Sequence, residues 1–316
     1  PFPGKRGLRS SEAQAEATSM QAEVRGVRRE LRQMALEAYA DWYEVARALD
    51  INGAHRALMV EMKRAAEAQY AAGRAAQQDP LQAEVMLAEL EQERLELEAR
   101  QRVVRGRING LVHRPVQAAV PPPPAELQVD EGVPADAEAR ALDRRPELAA
   151  LDARIQGARA GQELSSKAWL PDFALMASYS TMWPDAPMRL MVGIGLEIPL
   201  QGARRSAEGE EAGARLRQLE LQREHSAKEI EVAALAAREE LAGALAVLEI
   251  QAQRALPAAR AQLDSARAGY VSGRNQFQAL IEAERSLRNA ELRRHRALAD
   301  VVRRRAALES AMGEDR

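Results

Sequence analysis

Four histidines and no cysteine narrow the chemistry open to this chain of 316 residues. His55, His113, His225 and His295 stand far apart, without the local spacing of a metal motif, and the lack of cysteine excludes disulfides and thiolate ligands. No nucleophile stands in a recognisable pattern with a base, so the chain reads as a non-enzyme that needs no cofactor. Met176, Met182, Met188 and Met191 cluster in one stretch. Their thioethers would suit copper or silver, and they would serve equally well as ordinary apolar surface. What does recur at a fixed spacing is a turn: Tyr70-Ala71-Ala72-Gly73-Arg74 returns as Tyr270-Val271-Ser272-Gly273-Arg274. Such a group marks a turn between two long elements and holds no bond-making chemistry of its own.

The elements that carry these turns form a tandem repeat. With the offset held at 270 − 70, Leu81 faces Ile281, Glu84 faces Glu284, Leu87 faces Leu287, Glu91 faces Glu291 and Ile108 faces Leu308. Only 3% of the chain is aromatic, and much of its 46% hydrophobic content is alanine. With Glu, Arg, Gln and Leu this is the composition of long, closely packed helices. Helix is expected from about Arg9 to Gln69, with a weak break signal at Asn52-Gly53, and again from about Ala76 to Val112. A leg of about 60 residues would span roughly 90 Å. Leu90, Leu97, Val104 and Leu111, and later Leu280, Leu287, Val301 and Leu308, keep a sevenfold spacing that predicts coiled-coil packing, interrupted at Arg294. Pro257 predicts a kink or local break.

Pro115 and Pro121 to Pro124 end the first hairpin, and an irregular connector runs to Pro134. Helical sequence returns from Asp136 to about Lys167, and then the period changes. From Met188 to Ile198, one face carries Met188, Leu190, Val192, Ile194, Leu196 and Ile198; the other carries Arg189, Met191, Gly193, Gly195 and Glu197. That alternation is a strand with one apolar face, partnered by Asp172 to Trp183 across a turn at Pro184-Asp185-Ala186-Pro187. Trp169 and Trp183 flank this partner at a spacing suited to aromatic girdles, or Trp169 packs on helices. Two strands are marginal in water and require others. A formal charge of −2 gives no pull toward nucleic acid. No apolar run approaches the roughly 20 residues of a membrane helix and no signal peptide opens the sequence, which leaves strand-type membrane segments open.

In this order and spacing the segments resemble the TolC-type outer-membrane efflux family. The resemblance rests on Tyr270 to Arg274 followed by Gln278 to Ala283, on Gly73 to Asp79, on Arg145-Pro146-Glu147-Leu148, and on Trp169-Leu170-Pro171-Asp172-Phe173 with Ile198-Pro199-Leu200. It implies a mainly α fold, with long antiparallel coiled-coil hairpins in two tandem repeats and one amphipathic β-hairpin contributing to a trimeric outer-membrane barrel. The implied division is a first repeat at 1–114 with its tip at 70–79, a Pro-rich connector at 115–135, a helix at 136–168, a transmembrane hairpin at 169–200, and a second helical hairpin at 201–316 with its tip at 270–279. Pro1 to Arg6 resembles the strand exit Ile198 to Arg204, so the chain reads as starting at the end of a first β-hairpin, with two of the family's four strands.

The same resemblance implies a homotrimer in outer-membrane lipid, most of it periplasmic, that meets a periplasmic adaptor (a membrane fusion protein) and an inner-membrane pump of the RND type. Tyr70, Gly73, Arg74 and Gly273 become adaptor-docking tips. Asp79 and Tyr270 become a closing latch, with Gln78 beside them. The family's closing arginine falls at Asn275, with the basic residue here one position early at Arg274. Of two entrance carboxylate rings one position is Ala279, and Glu282 is the other. Leu190, Val192, Ile194, Leu196 and Ile198 become the membrane strand. The tip Gln77-Gln78-Asp79 resembles heavy-metal-resistance members. Against these stand plainer readings: Tyr270 packs at its turn, Asp79 caps the return helix, and Glu282 is a surface carboxylate. A soluble coiled-coil scaffold or an adaptor-like protein is the alternative function, and the greasy strand speaks against the first.

Overall fold

The computed structural model describes residues 1–179, 190–199 and 201–314. The expected turn at 184–187, with Met182, Trp183 and Met188, lies outside them. Two compact units divide the chain, one formed by Pro1–Arg28 with Glu138–Ala233 and the other by Arg29–Ala137 with Ala234–Arg316.

The paired legs run as expected, the first of them passing from the first unit into the second at Arg28–Arg29. Helix α1 spans Lys5–Ala71 and α2 spans Gln78–Leu111; α6, Leu256–Val271, and α7, Phe277–Ala311, repeat that arrangement. The Asn52-Gly53 signal breaks nothing, because the helical ladder continues through it and Asn52 turns its Nδ2 outward to the Leu90 carbonyl at 3.0 Å and to Glu93 at 3.2 Å. The sevenfold seam is complete on α7, where Leu280, Leu287, Val301 and Leu308 are buried; on α2 Leu90 and Val104 are buried while Leu97 and Leu111 are half-buried. Arg294, which interrupts it, pairs with Glu126 of the connector. Behind the tips Met59, Met62, Met86, Leu90, Phe277, Leu280 and Ile281 pack as one cluster, each large side chain worth roughly 1.5–3 kcal/mol on burial. The irregular connector is pinned by Asn109 Nδ2 to the Ala118 carbonyl at 2.8 Å, Trp42 Nε1 to that of Pro121 at 2.9 Å, and Arg305 to that of Gly132 at 2.7 Å.

Pro257 acts one turn earlier than its own position. A π-helical turn, Gln251–Ala255, separates α5 (Gly202–Ile250) from α6, so the proline sits in the first turn of a fresh helix where its missing N–H costs nothing.

In the first unit the single helix expected over 136–168 is two. α3, Ala137–Arg144, and α4, Pro146–Ser166, part at Arg145 (φ −64°, ψ 121°), which the ring of Pro146 holds in extended conformation. A 3-10 turn, Lys167–Trp169, then leads into strand β1, Asp172–Tyr179, antiparallel to β2, Leu190–Glu197. Register pairs Phe173 with Leu196, Leu175 with Ile194, Ala177 with Val192 and Tyr179 with Leu190, so the apolar residues of both strands share one face, as the alternation predicted. Ile198 lies one residue past the strand. At its base the Asp172 carboxylate accepts from the Phe2 amide at 2.7 Å and from buried Lys5 at 2.8 Å.

Candidate functional site

Both tips are built by the same backbone device. At the end of α1 Gly73 takes φ 69° and its N–H donates to the Tyr70 carbonyl at 2.9 Å, while Arg74 N–H reaches back to Gln69 at 2.9 Å. At the end of α6 Gly273 takes the same φ, with bonds to Tyr270 at 3.0 Å and from Arg274 to Gly269 at 2.8 Å. This paired closure satisfies the last carbonyls of a helix and needs a left-handed residue, which glycine adopts without a Cβ penalty. α2 ends the same way on His113, at φ 53°, so this histidine's position is explained by a helix end.

Around the second tip the side chains interlock. Asn275 lies over Gly269 so closely that a Cβ there would stand 2.2 Å from its amide nitrogen, and Asn275 N–H joins Arg274 N–H on the Gly269 carbonyl. Arg274 is turned back to Ser272 Oγ at 3.0 Å. The Tyr270 ring packs on buried Phe277, centroids 5.3 Å apart, so the plain packing role of Tyr270 is present. Its hydroxyl is buried beside Asp79: burial first, then the Asp79 charge, pushes the phenol pKa up, while burial raises the carboxyl of Asp79 and the Tyr270 phenol offsets part of that. The pair falls outside good hydrogen-bond geometry within one chain, for the hydroxyl has no such partner among the described residues.

Asp79 does not cap α2. Gln77 holds the N-cap position without a side-chain bond, and Asp79 stands in the first turn, where a carboxylate suits the helix dipole. Gln78, Leu81, Val85, Met86, Gln278 and Arg285 line a shallow groove between α2 and α7 next to the tip. Glu282, on the exposed side of α7, accepts a bond from Gln278 at 3.3 Å.

The model of the family described as outer membrane efflux protein matches residues 139–314. The chain belongs to this family. Three solved structures share its fold. The outer membrane protein VceC of Vibrio cholerae aligns with a TM-score of 0.85 at 19% identity, over 99% of this chain and 77% of that one. For the outer-membrane channel OprN the TM-score is 0.78 at 21% identity, over 99% and 72%. The open state of the Neisseria gonorrhoeae MtrE outer membrane channel gives 0.78 at 17%, over 99% and 72%. No curated protein sequence matches the chain significantly.

Within this efflux-family fold one group of polar residues escaped the sequence reading. His55 on α1 is 4% exposed, and its two ring nitrogens contact Glu284 of α7 at 2.6 Å and Glu291 of α7 at 3.0 Å. Glu284 is fully buried, and its second oxygen has no partner among the described residues. Burial alone would lower the His55 pKa; the bonds and charges of the two glutamates outweigh it and hold the ring up at about 9. Glu291 is lowered by its bond to His55. The other histidines differ: His225 pairs with Glu229 on the surface of α5, and His295 meets the Tyr43 hydroxyl at 2.7 Å, its pKa lowered by burial and by Arg294 and Arg47.

Proposed function

We propose that the chain is a protomer of a trimeric duct through the outer membrane, which passively passes substrate delivered by an inner-membrane pump and a periplasmic adaptor to the outside. The observation that carries this is the β-hairpin. Leu175 is 78% and Ile194 83% exposed, and Phe173, Leu190, Val192, Leu196 and Ile198 are open too, so the apolar face of the sheet has no cover within the described chain. A soluble scaffold would leave that face and two unpaired sheet edges in water. Lipid on the face and strands of neighbouring protomers on the edges satisfy both at once. Met20, Val24 and Val27 of α1, spaced by four and three residues and each about half exposed, supply a second apolar stripe for a neighbouring helix.

The five-part division into repeats, connector, helix and hairpin fits this assembly. The tips around Tyr70, Gly73, Arg74 and Gly273 are the docking points, and the groove beside Gln78 extends them. Asp79 and Tyr270 close the entrance across neighbouring hairpins, with Arg274 and Asn275 shaping the second tip. An adaptor shifts this gate only by binding the open tip better than the closed one.

Fractionation of cells making the whole gene product tests the reading. The protein is expected in the outer membrane and to cross-link as a trimer in detergent; a soluble monomer would refute it. Glu282, repeated threefold near the axis, would attract cations. Glu282→Gln is therefore expected to weaken block of the pore by divalent cations several-fold, and unchanged block would return Glu282 to the plain surface.

A further inference from the structure

We propose that His55, Glu284 and Glu291 form a charged clasp that ties the first helical hairpin to the second behind the tips, so that widening of the tips must break it or carry it along. The geometry favours a charged ring. Both ring nitrogens face carboxylate oxygens, at 2.6 and 3.0 Å, and a neutral imidazole has only one N–H to donate. Held up at about 9, the ring is an imidazolium at pH 7, and it is the one cation paired with Glu284 among the described residues. Of the other charges at this level, Arg260 and His295 also act on Glu291, and the rest are engaged elsewhere. From α2, Glu93 meets Asn52 and Arg288 of α7, and Glu91 meets Arg56 of α1; from α6, Arg260 stands 3.8 Å from Glu291. A fully buried carboxylate held by one partner depends on that partner.

The clasp sits where the second hairpin is built to bend. In the register of the repeat His55 corresponds to Ala255, the last residue of the π-helical turn before α6, and α7 packs against that turn. A π turn departs from the regular ladder, so the ascending leg of the second hairpin can bend there, while α1 and α7 run through unbroken. His55 is the buried charged link between the two hairpins, beside the apolar cluster behind the tips and the Arg288–Glu93 and Arg285–Glu89 pairs.

The consequence for opening rests on the gated-duct reading; the clasp itself does not. These 316 residues hold no cysteine, so once any cysteine elsewhere in the gene product is replaced, spin labels at Glu67→Cys and Arg267→Cys, exposed and at matching positions of the two repeats, report tip separation. Measured in the whole gene product diluted with unlabelled protein, the separation is expected to be narrow at pH 7 and to widen in a step near pH 9. His55→Gln should be wide already at pH 7 and show no step, and His55→Arg, charged throughout, should stay narrow to pH 10. A step that survives in His55→Gln, or equal separations in wild type and His55→Gln at pH 7, would overturn the clasp. Bilayer conductance on the same samples separates the two ideas. Labels that move as stated without conductance at any pH uphold the clasp and remove the duct; conductance with unmoved labels does the reverse.

Discussion

Glu284→Ala is expected to destabilise the protein by about 3 kcal/mol, the scale for breaking a buried ion pair by removing one partner. His55 keeps Glu291 but loses the shorter of its two bonds, and the change leaves a cavity between α1 and α7 where Glu284 was fully buried. A fall in melting temperature on the order of 5–10 °C in detergent is the readout. Its pH dependence follows from the signs. The folded pKa of His55, about 9, is raised above its ordinary 6.5, so its contribution is complete below about pH 6.5 and is lost as pH rises through 9. Glu291 is lowered from 4.5, so its contribution is present above that value and lost as pH falls through the folded one. The gap between wild type and Glu284→Ala should be widest near pH 6.5 and shrink as pH rises through 9. A variant as stable as wild type at pH 7 would show that the buried contact contributes nothing net.

The second large effect is expected at the gate. In the proposed trimer, Asp79→Ala combined with Tyr270→Phe should shift the balance toward the open state. A phenol-to-carboxylate bond between neighbouring hairpins contributes about 1 kcal/mol once screening at a wet tip is allowed for. Three copies give about 3 kcal/mol, roughly a hundredfold in the ratio of closed to open. Within one chain the two groups already lie together, Tyr270 half-buried against Phe277 with its hydroxyl lacking a well-formed bond, which a better-placed carboxylate would complete. Single-channel conductance of the double variant should exceed that of wild type, and equal conductance would remove the latch.

What could be read in the sequence was what local physics enforces. Gly73 and Gly273 had to be turns because left-handed backbone ends a helix cheaply with glycine, and the alternation around Val192 and Ile194 had to be a strand. Pro257 announced a break, though not that a π turn would absorb it. Pro146 was read as lying inside a helix, while the restriction it puts on Arg145 makes two. The clasp was hidden because its members are 229 residues apart and share no motif. One signal was present: Glu284 falls on the buried stripe of Phe277, Leu280 and Leu287, and His55 on that of Asn52, Met59 and Met62. A charged residue on each of two apolar seams must find a partner or be expelled, and these two found each other.

The central claim is that this chain forms a conducting pore, and the most direct measurement is ionic current across a planar lipid bilayer after addition of the purified, whole gene product. The account predicts discrete, long-lived conductance steps, small at neutral pH because latch and clasp hold the tips closed, and larger in Asp79→Ala/Tyr270→Phe. A protein that enters the bilayer yet passes no current, in wild type and variant alike, would contradict it.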